Sequence, residues 1–265
     1  MGSNLFWRIV TGVSALPVLF FVIDYGGWAY SSLVALVVTI GAWEFWRLCR
    51  ASGVEPDFPL LLVGALGTLQ GASDPRPERF VVFLGGFLVV ALLSILRFGD
   101  GQASVRLGRL LLGILYVGLL PAFLLRMRDL PFGRDAVVLL YAAVFACDTF
   151  AYVTGRWWGR HRLWPRISPK KTWEGAIGGV VGATAVSLAG QMWFAEFLSP
   201  AVAVGMGLLV GVVGQSGDLV ESLLKREAGE KDSSQILPGH GGVLDRFDSL
   251  HLAAPAVYVL FGLLV

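Results

Sequence analysis

Long, uninterrupted apolar blocks constrain this chain more than any other feature. Between Phe80 and Leu96, for example, no ionisable residue occurs. A bilayer core about 30 Å thick is crossed by roughly 20 helical residues at a rise of about 1.5 Å each. Stretches of that kind recur at about 5–24, 28–48, 58–73, 80–97, 108–126, 135–155, 174–197, 201–224 and 249–265. The third and ninth are short, as tilted or partly buried segments can be. Hydrophobic residues make up 55% of the chain and charged residues only 15%, with a mean hydropathy of +0.70. A soluble domain of 265 residues would need more charge to cover its surface. The expected fold is therefore all-α: a polytopic integral membrane protein of about nine transmembrane helices. Residues 1–130 would form a scaffold of N-terminal helices with room for oligomer contacts. Residues 131–265 would form a C-terminal catalytic region bearing two polar motifs.

Basic residues orient these spans, because cytoplasmic loops carry an excess of Lys and Arg. With the N-terminus cytoplasmic, only Arg76, Arg79, Arg126, Arg128 and Arg134 of the 21 basic residues fall on the opposite side. Both long polar loops then face the cytoplasm, and the bacterial inner membrane is the expected location. The first apolar run, ending at Asp24-Tyr25, lacks a small-residue cleavage site and reads as a retained span. Phe6 removes the hydroxyl that an N-myristoylation motif needs. Cys49 and Cys147 sit in or beside apolar runs without a CxxC or Cys/His partner, so they read as packing residues rather than a disulfide or zinc site. A net charge of +2 gives no reason to expect nucleic acid as a partner.

The first polar segment runs from Asp148 to Gly175, with six cations between Arg156 and Lys171. A loop that only fixes topology would look much the same. Two details point further. Asp148 falls inside an apolar span, where an ionisable group costs at least about 2.5–3.5 kcal/mol. Ser168-Pro169-Lys170-Lys171-Thr172 gathers hydroxyls and ammoniums just before a helix start at Glu174, a setting suited to phosphate.

The second segment is richer. In helical geometry Asp218, Glu221, Ser222 and Lys225 share one face at i, i+3, i+4 and i+7. Lys231-Asp232 follows, and then Pro238-Gly239-His240-Gly241-Gly242-Val243-Leu244-Asp245-Arg246-Phe247-Asp248. The glycines allow a ligand to approach the backbone closely. Carboxylates Asp218, Asp245 and Asp248, without Cys or paired His, favour Mg²⁺ over zinc. Mg²⁺ held by few carboxylates completes its shell with water and substrate phosphates, which the neighbouring cations would also hold. These residues imply a membrane-embedded, metal-dependent, phosphate-handling site, with structural ion pairs between spans as the plainer alternative. His240 suits a phosphate donor or a loop hydrogen bond equally well.

These residues resemble the phosphatidate cytidylyltransferase (CDP-diacylglycerol synthase) family. Its C-terminal signature is met by Ser222, Lys225-Arg226, Lys231-Asp232, Ser234, Leu237-Pro238, His240-Gly241-Gly242, Asp245-Arg246 and Asp248. Its upstream block is similar to Asp148, Ala151-Tyr152, Gly155-Arg156 and Ser168 through Gly175. Ser234 stands where many members have Gly, and Trp158 where the aromatic is usually Phe. The resemblance covers about 148–249 with specificity, and spans one to five match only in character.

What the resemblance implies is the reaction of CTP with phosphatidate to give CDP-diacylglycerol and pyrophosphate, with Mg²⁺ as one or two ions and room for a monovalent ion. Asp218 and Asp245 would hold metal, and Asp248 and Asp148 would support them. Lys225, Arg226, Lys231 and Arg246 would bind the CTP phosphates or the leaving pyrophosphate. Ser168, Lys170, Lys171 and Thr172 would take the phosphatidate headgroup or the triphosphate. Ser222, His240, Gly241 and Gly242 complete the substrate-binding set. The resemblance also suggests a homodimer. Rival readings are a CTP-dependent polyprenol or phytol kinase, which would release CDP, and a cation-coupled transporter using Asp148 and Asp218. A transporter would repeat broken helices in matching halves, whereas the polar groups here cluster late in the chain. The dense aspartate motif of a CDP-alcohol phosphatidyltransferase is absent.

Overall fold

The structure, a computed structural model, describes residues 17–74, 76–97, 101–237 and 241–264. Helices dominate it. They are α1 (17–25), α2 (Gly27–Ala51), α3 (Phe58–Ser73), α4 (Pro77–Arg97), α5 (Ala103–Gly113), α6 (Leu120–Arg128), α7 (Gly133–Trp158), α8 (Trp173–Trp193), α9 (Pro200–Leu209), α10 (Gln215–Glu227) and α11 (Leu244–Leu264). Six continuous segments among the described residues are long and apolar enough to cross a membrane: Gly27–Ala51, Ala103–Arg128, Gly133–Trp158, Trp173–Trp193, Pro200–Glu227 and Leu244–Leu264. Phe58–Ser73 is apolar but has 16 residues. Residues 5–16 of the first expected stretch lie outside the described residues.

Two of the six segments contain a π-helical turn, Ile114–Leu119 between α5 and α6, and Val210–Gly214 between α9 and α10. A π turn shifts the phase of every residue after it and leaves carbonyls without their usual partner. At the second, the Gln215 amide donates to the carbonyls of Gly211 (2.6 Å) and Ala176 (3.0 Å). This bond satisfies the freed backbone just ahead of Asp218.

The chain forms two compact units that interleave in sequence. The first takes Met1–Leu125 and Leu224–Arg246. Here α3 packs on α2, α4 and the Ile114–Leu119 turn. Small residues permit the approach: a Cβ on Gly113 would overlap Phe45 and Leu61, and one on Gly118 would meet the backbone of Ala65. Without a hydrophobic force between helices in lipid, close backbone packing of this kind is what associates them. The Asp57 carboxylate accepts from the Leu60 amide to cap α3 (3.1 Å). The Arg109 guanidinium binds the carbonyls of Cys49 (3.0 Å) and Val54, closing the end of α2.

The second unit takes Arg126–Leu223 and Phe247–Val265. Its core pair is α7 and α8, which touch along a glycine face. A Cβ on Gly175 would sit 2.8 Å from the Ala151 carbonyl oxygen, and one on Gly179 would sit 3.0 Å from that of Cys147. Phe132, Phe197 and Phe261 form an aromatic cluster, the first two stacked with centroids 4.1 Å apart.

One departure from an all-helical fold joins α7 to α8. Strands β1 (Arg162–Trp164) and β2 (Ser168–Thr172) pair antiparallel, with Arg162 opposite Thr172 and Trp164 opposite Ser168. The segment reads as a loop from its sequence because Pro169 and the charges obscure any alternation. Pairing supplies partners for backbone that would otherwise lack them beside a membrane. The Trp173 amide extends the ladder to the His161 carbonyl (2.9 Å).

Candidate functional site

Each unit carries its own cluster of the predicted residues. In the second unit the cluster is built on the hairpin and α10. Thr172 ends β2 and caps α8, its hydroxyl accepting from the Gly175 amide (3.1 Å). Glu174, the second residue of α8, accepts from the amides of Arg160 (3.1 Å) and His161 (3.3 Å) and from the His161 ring (2.7 Å). These bonds fasten both ends of the hairpin to the helix start, so Lys171 projects from a braced strand. Its ammonium lies 2.6 Å from Asp218 Oδ2. The Ser222 hydroxyl donates to the other oxygen, Oδ1, at 3.2 Å, as the i, i+4 spacing predicts. α7 runs alongside α8, with Asp148 exposed on it. Ser168 pairs within the hairpin, and Lys170 is exposed on it.

In the first unit the cluster forms around Asp245, the second residue of α11. Its Oδ1 meets the buried Lys225 ammonium at 2.5 Å. Its Oδ2 accepts from the Ser233 amide (2.9 Å), the Ser233 hydroxyl (2.9 Å) and the Gly242 amide (2.8 Å). Four donors thus repay the cost of removing the pair from water, a cost that can otherwise exceed the Coulomb gain. Gly241 has φ +82°, and a Cβ there would come within 2.9 Å of Asp245 Oδ2. Its two hydrogens are therefore needed twice, for the backbone turn and for the carboxylate's approach.

A residue missed by sequence reasoning anchors this cluster. Glu44, in the middle of α2, is fully buried. Its carboxylate accepts from the Ser234 hydroxyl (2.5 Å), the Val243 amide (2.9 Å) and the Leu244 amide (2.6 Å), and it lies 3.2 Å from the Ser233 oxygen, whose one hydroxyl proton is also within reach of Asp245. A carboxylate at the first amides of α11 also meets the positive end of that helix. Gly242 is required beside it, since a Cβ would overlap both Ser233 Oγ and Glu44 Oε1. The signal in the sequence is an acid alone in Ala42-Trp43-Glu44-Phe45-Trp46, the same anomaly that singled out Asp148.

Lys225 shares the α10 face of Asp218 but pairs with Asp245. The remaining predicted residues make other contacts. Arg226 donates to the Glu230 carbonyl (2.8 Å), and Arg226, Lys231 and Arg246 are exposed. Asp248 is buried and accepts from the Ser249 amide at 2.6 Å. His240 lies outside the described residues.

Each cluster by itself offers oxygen donors of the kind a hard divalent cation takes, Asp218 with Ser222 in the second unit and Asp245 in the first, and in each aspartate one carboxylate oxygen faces an ammonium. Among the described residues no group of three or more His, Cys, Asp or Glu is arranged as a metal cage. Mg²⁺ in general relies on one or two carboxylates and substrate phosphates rather than on such a cage.

The chain matches the cytidylyltransferase family over residues 6–264. A phosphatidate cytidylyltransferase of Synechocystis sp. is 34% identical across 97% of this chain and 97% of its own. One from Brucella abortus is 35% identical across 98% and 94%. One from Bacillus subtilis is 32% identical across 97% of both chains.

Proposed function

Because the chain belongs to the cytidylyltransferase family, we propose that it transfers the cytidylyl group of CTP to phosphatidate in a membrane, forming CDP-diacylglycerol and releasing pyrophosphate. Three relatives named for that activity align over nearly their whole length. The observation in the structure that carries the reading is the Asp245 cluster, in which a glycine turn, Ser233 and Lys225 gather around one carboxylate. Such a set of amides and cations is what a polyphosphate needs.

A phosphatidate oxygen attacks the α-phosphorus of CTP, and the bond from that phosphorus to the bridging oxygen breaks. The attacking phosphate is ionised at neutral pH, so no general base is required. Alignment and charge neutralisation therefore dominate the chemistry. Lys171 and Lys225 are compact charges on flexible stems that can turn from their aspartates to incoming phosphates. Arg226, Lys231 and Arg246 would hold the triphosphate or the departing pyrophosphate, and Ser168, Lys170 and Thr172 the lipid phosphate. Asp218, with Ser222, and Asp245 would hold Mg²⁺, which would neutralise charge on the phosphates when bound. The basic-residue bias supports an N-terminus and active site on the cytoplasmic side, where CTP resides.

Purified protein given phosphatidate, Mg²⁺ and CTP labelled at the α-phosphate should place label in the lipid and release unlabelled pyrophosphate. Label recovered as free CDP would instead identify a kinase and overturn the proposal.

A further inference from the structure

The hairpin holds more charge than the proposed reaction uses. From Thr149 to Trp173 there is no carboxylate. Arg160, Arg162 and Arg166 are exposed, and their side chains form no ion pair among the described residues. Of the carboxylates that meet the hairpin, Glu174 is taken up by His161 and two backbone amides and Asp218 by Lys171. Four tryptophans surround these arginines: Trp157 and Trp158 at the end of α7, Trp164 on β1, and Trp173 at the start of α8. Each is 53–68% exposed.

Their position in the chain fixes their depth. Both α7 and α8 are membrane-crossing candidates, and the tryptophans mark the ends that the hairpin joins. Tryptophan at a span end sits at headgroup level, with its ring apolar and its N–H wet. Guanidiniums on the segment between those ends therefore lie among lipid headgroups rather than in bulk solvent. A surface that is aromatic, uniformly positive and at headgroup depth is complementary to an anionic headgroup.

We propose that this hairpin is a docking surface for anionic phospholipids of the surrounding leaflet, with Arg160, Arg162 and Arg166 binding headgroup phosphates. It would enrich acidic lipids beside the second-unit cluster whether or not they are substrates. Its consequence for catalysis rests on the proposed reaction, since phosphatidate is itself such a lipid.

The test reads lipid association directly. Protein reconstituted in phosphatidylcholine vesicles is titrated with spin-labelled phosphatidylglycerol or spin-labelled phosphatidylcholine, and the motionally restricted fraction is measured. The native protein should prefer the acidic probe several-fold, and the preference should collapse in 1 M salt, where screening acts over about 3 Å. Each guanidinium near an acidic surface contributes up to about fivefold, so R160Q/R162Q/R166Q should bring the ratio close to one. R162Q alone should give a graded loss. R76Q/R79Q is the control, since both arginines already pair with Asp74, and it should leave the ratio unchanged. In activity assays the triple variant should need a several-fold higher mole fraction of phosphatidate for half-saturation. An unchanged lipid ratio overturns the proposal even if the enzyme is active. A raised KM for CTP with the lipid ratio intact would assign the arginines to the nucleotide and overturn it equally. Loss of the ratio in an inactive protein would sustain the docking surface while refuting the reaction.

Discussion

Replacing Glu44 by alanine should damage both the fold and the reaction, although Glu44 lies in an otherwise apolar helix. Its carboxylate serves the Ser234 hydroxyl and the Val243 and Leu244 amides. The hydroxyl can re-aim, and Ser233 has Asp245 as its partner. The Val243 and Leu244 amides are buried and cannot, and each unsatisfied donor costs about 1–3 kcal/mol. Relief from burying a carboxylate offsets part of this, leaving a net loss of roughly 3 kcal/mol. For a chain of this size that lowers the apparent melting temperature by roughly 6–12 °C. Glutamine is no rescue, because either orientation of its amide turns an NH₂ toward a backbone N–H, at a cost of about 1–3 kcal/mol. Thermal unfolding in detergent measures the stability. Turnover per folded molecule should fall more than tenfold, since Ser233 and Gly242 would no longer hold Asp245 in place. Native melting temperature together with native turnover in Glu44→Ala would refute the reasoning.

Asp218→Asn and Asp245→Asn should both reduce turnover at least a hundredfold, but only the second should unfold the protein readily. The Lys171–Asp218 side chains are 23% and 31% exposed, a pair worth at most about 1 kcal/mol, whereas losing Asp245 strands a buried Lys225 at a cost of about 3–5 kcal/mol; parallel melting curves and rate assays test the contrast. Gly175→Ala should destabilise by about 1–3 kcal/mol, because the new methyl would meet the Ala151 carbonyl on rigid backbone, and a melting temperature unchanged from native would contradict that packing. Chelation of divalent ions should abolish cytidylyl transfer, with activity returning on addition of Mg²⁺; full activity in excess chelator would remove the metal assignment from Asp218 and Asp245.

Much of this protein is decided locally and is readable without a fold. Apolar blocks of span length dictate helices because lipid offers backbone groups no partner. The i, i+4 spacing alone brings Ser222 to Asp218, and the glycines before Asp245 announce a turn. Partner choice is different. Lys225 shares a helix face with Asp218 yet pairs with Asp245, and Lys171 crosses from a hairpin to reach Asp218. The π turn that re-phases α10 has no signature in Val210–Gly214. Nor does any pattern connect Glu44 to Ser233, 189 positions later. Such contacts belong to whichever segments the tertiary structure brings together. A buried carboxylate states only that it needs donors, and the fold decides which residues supply them.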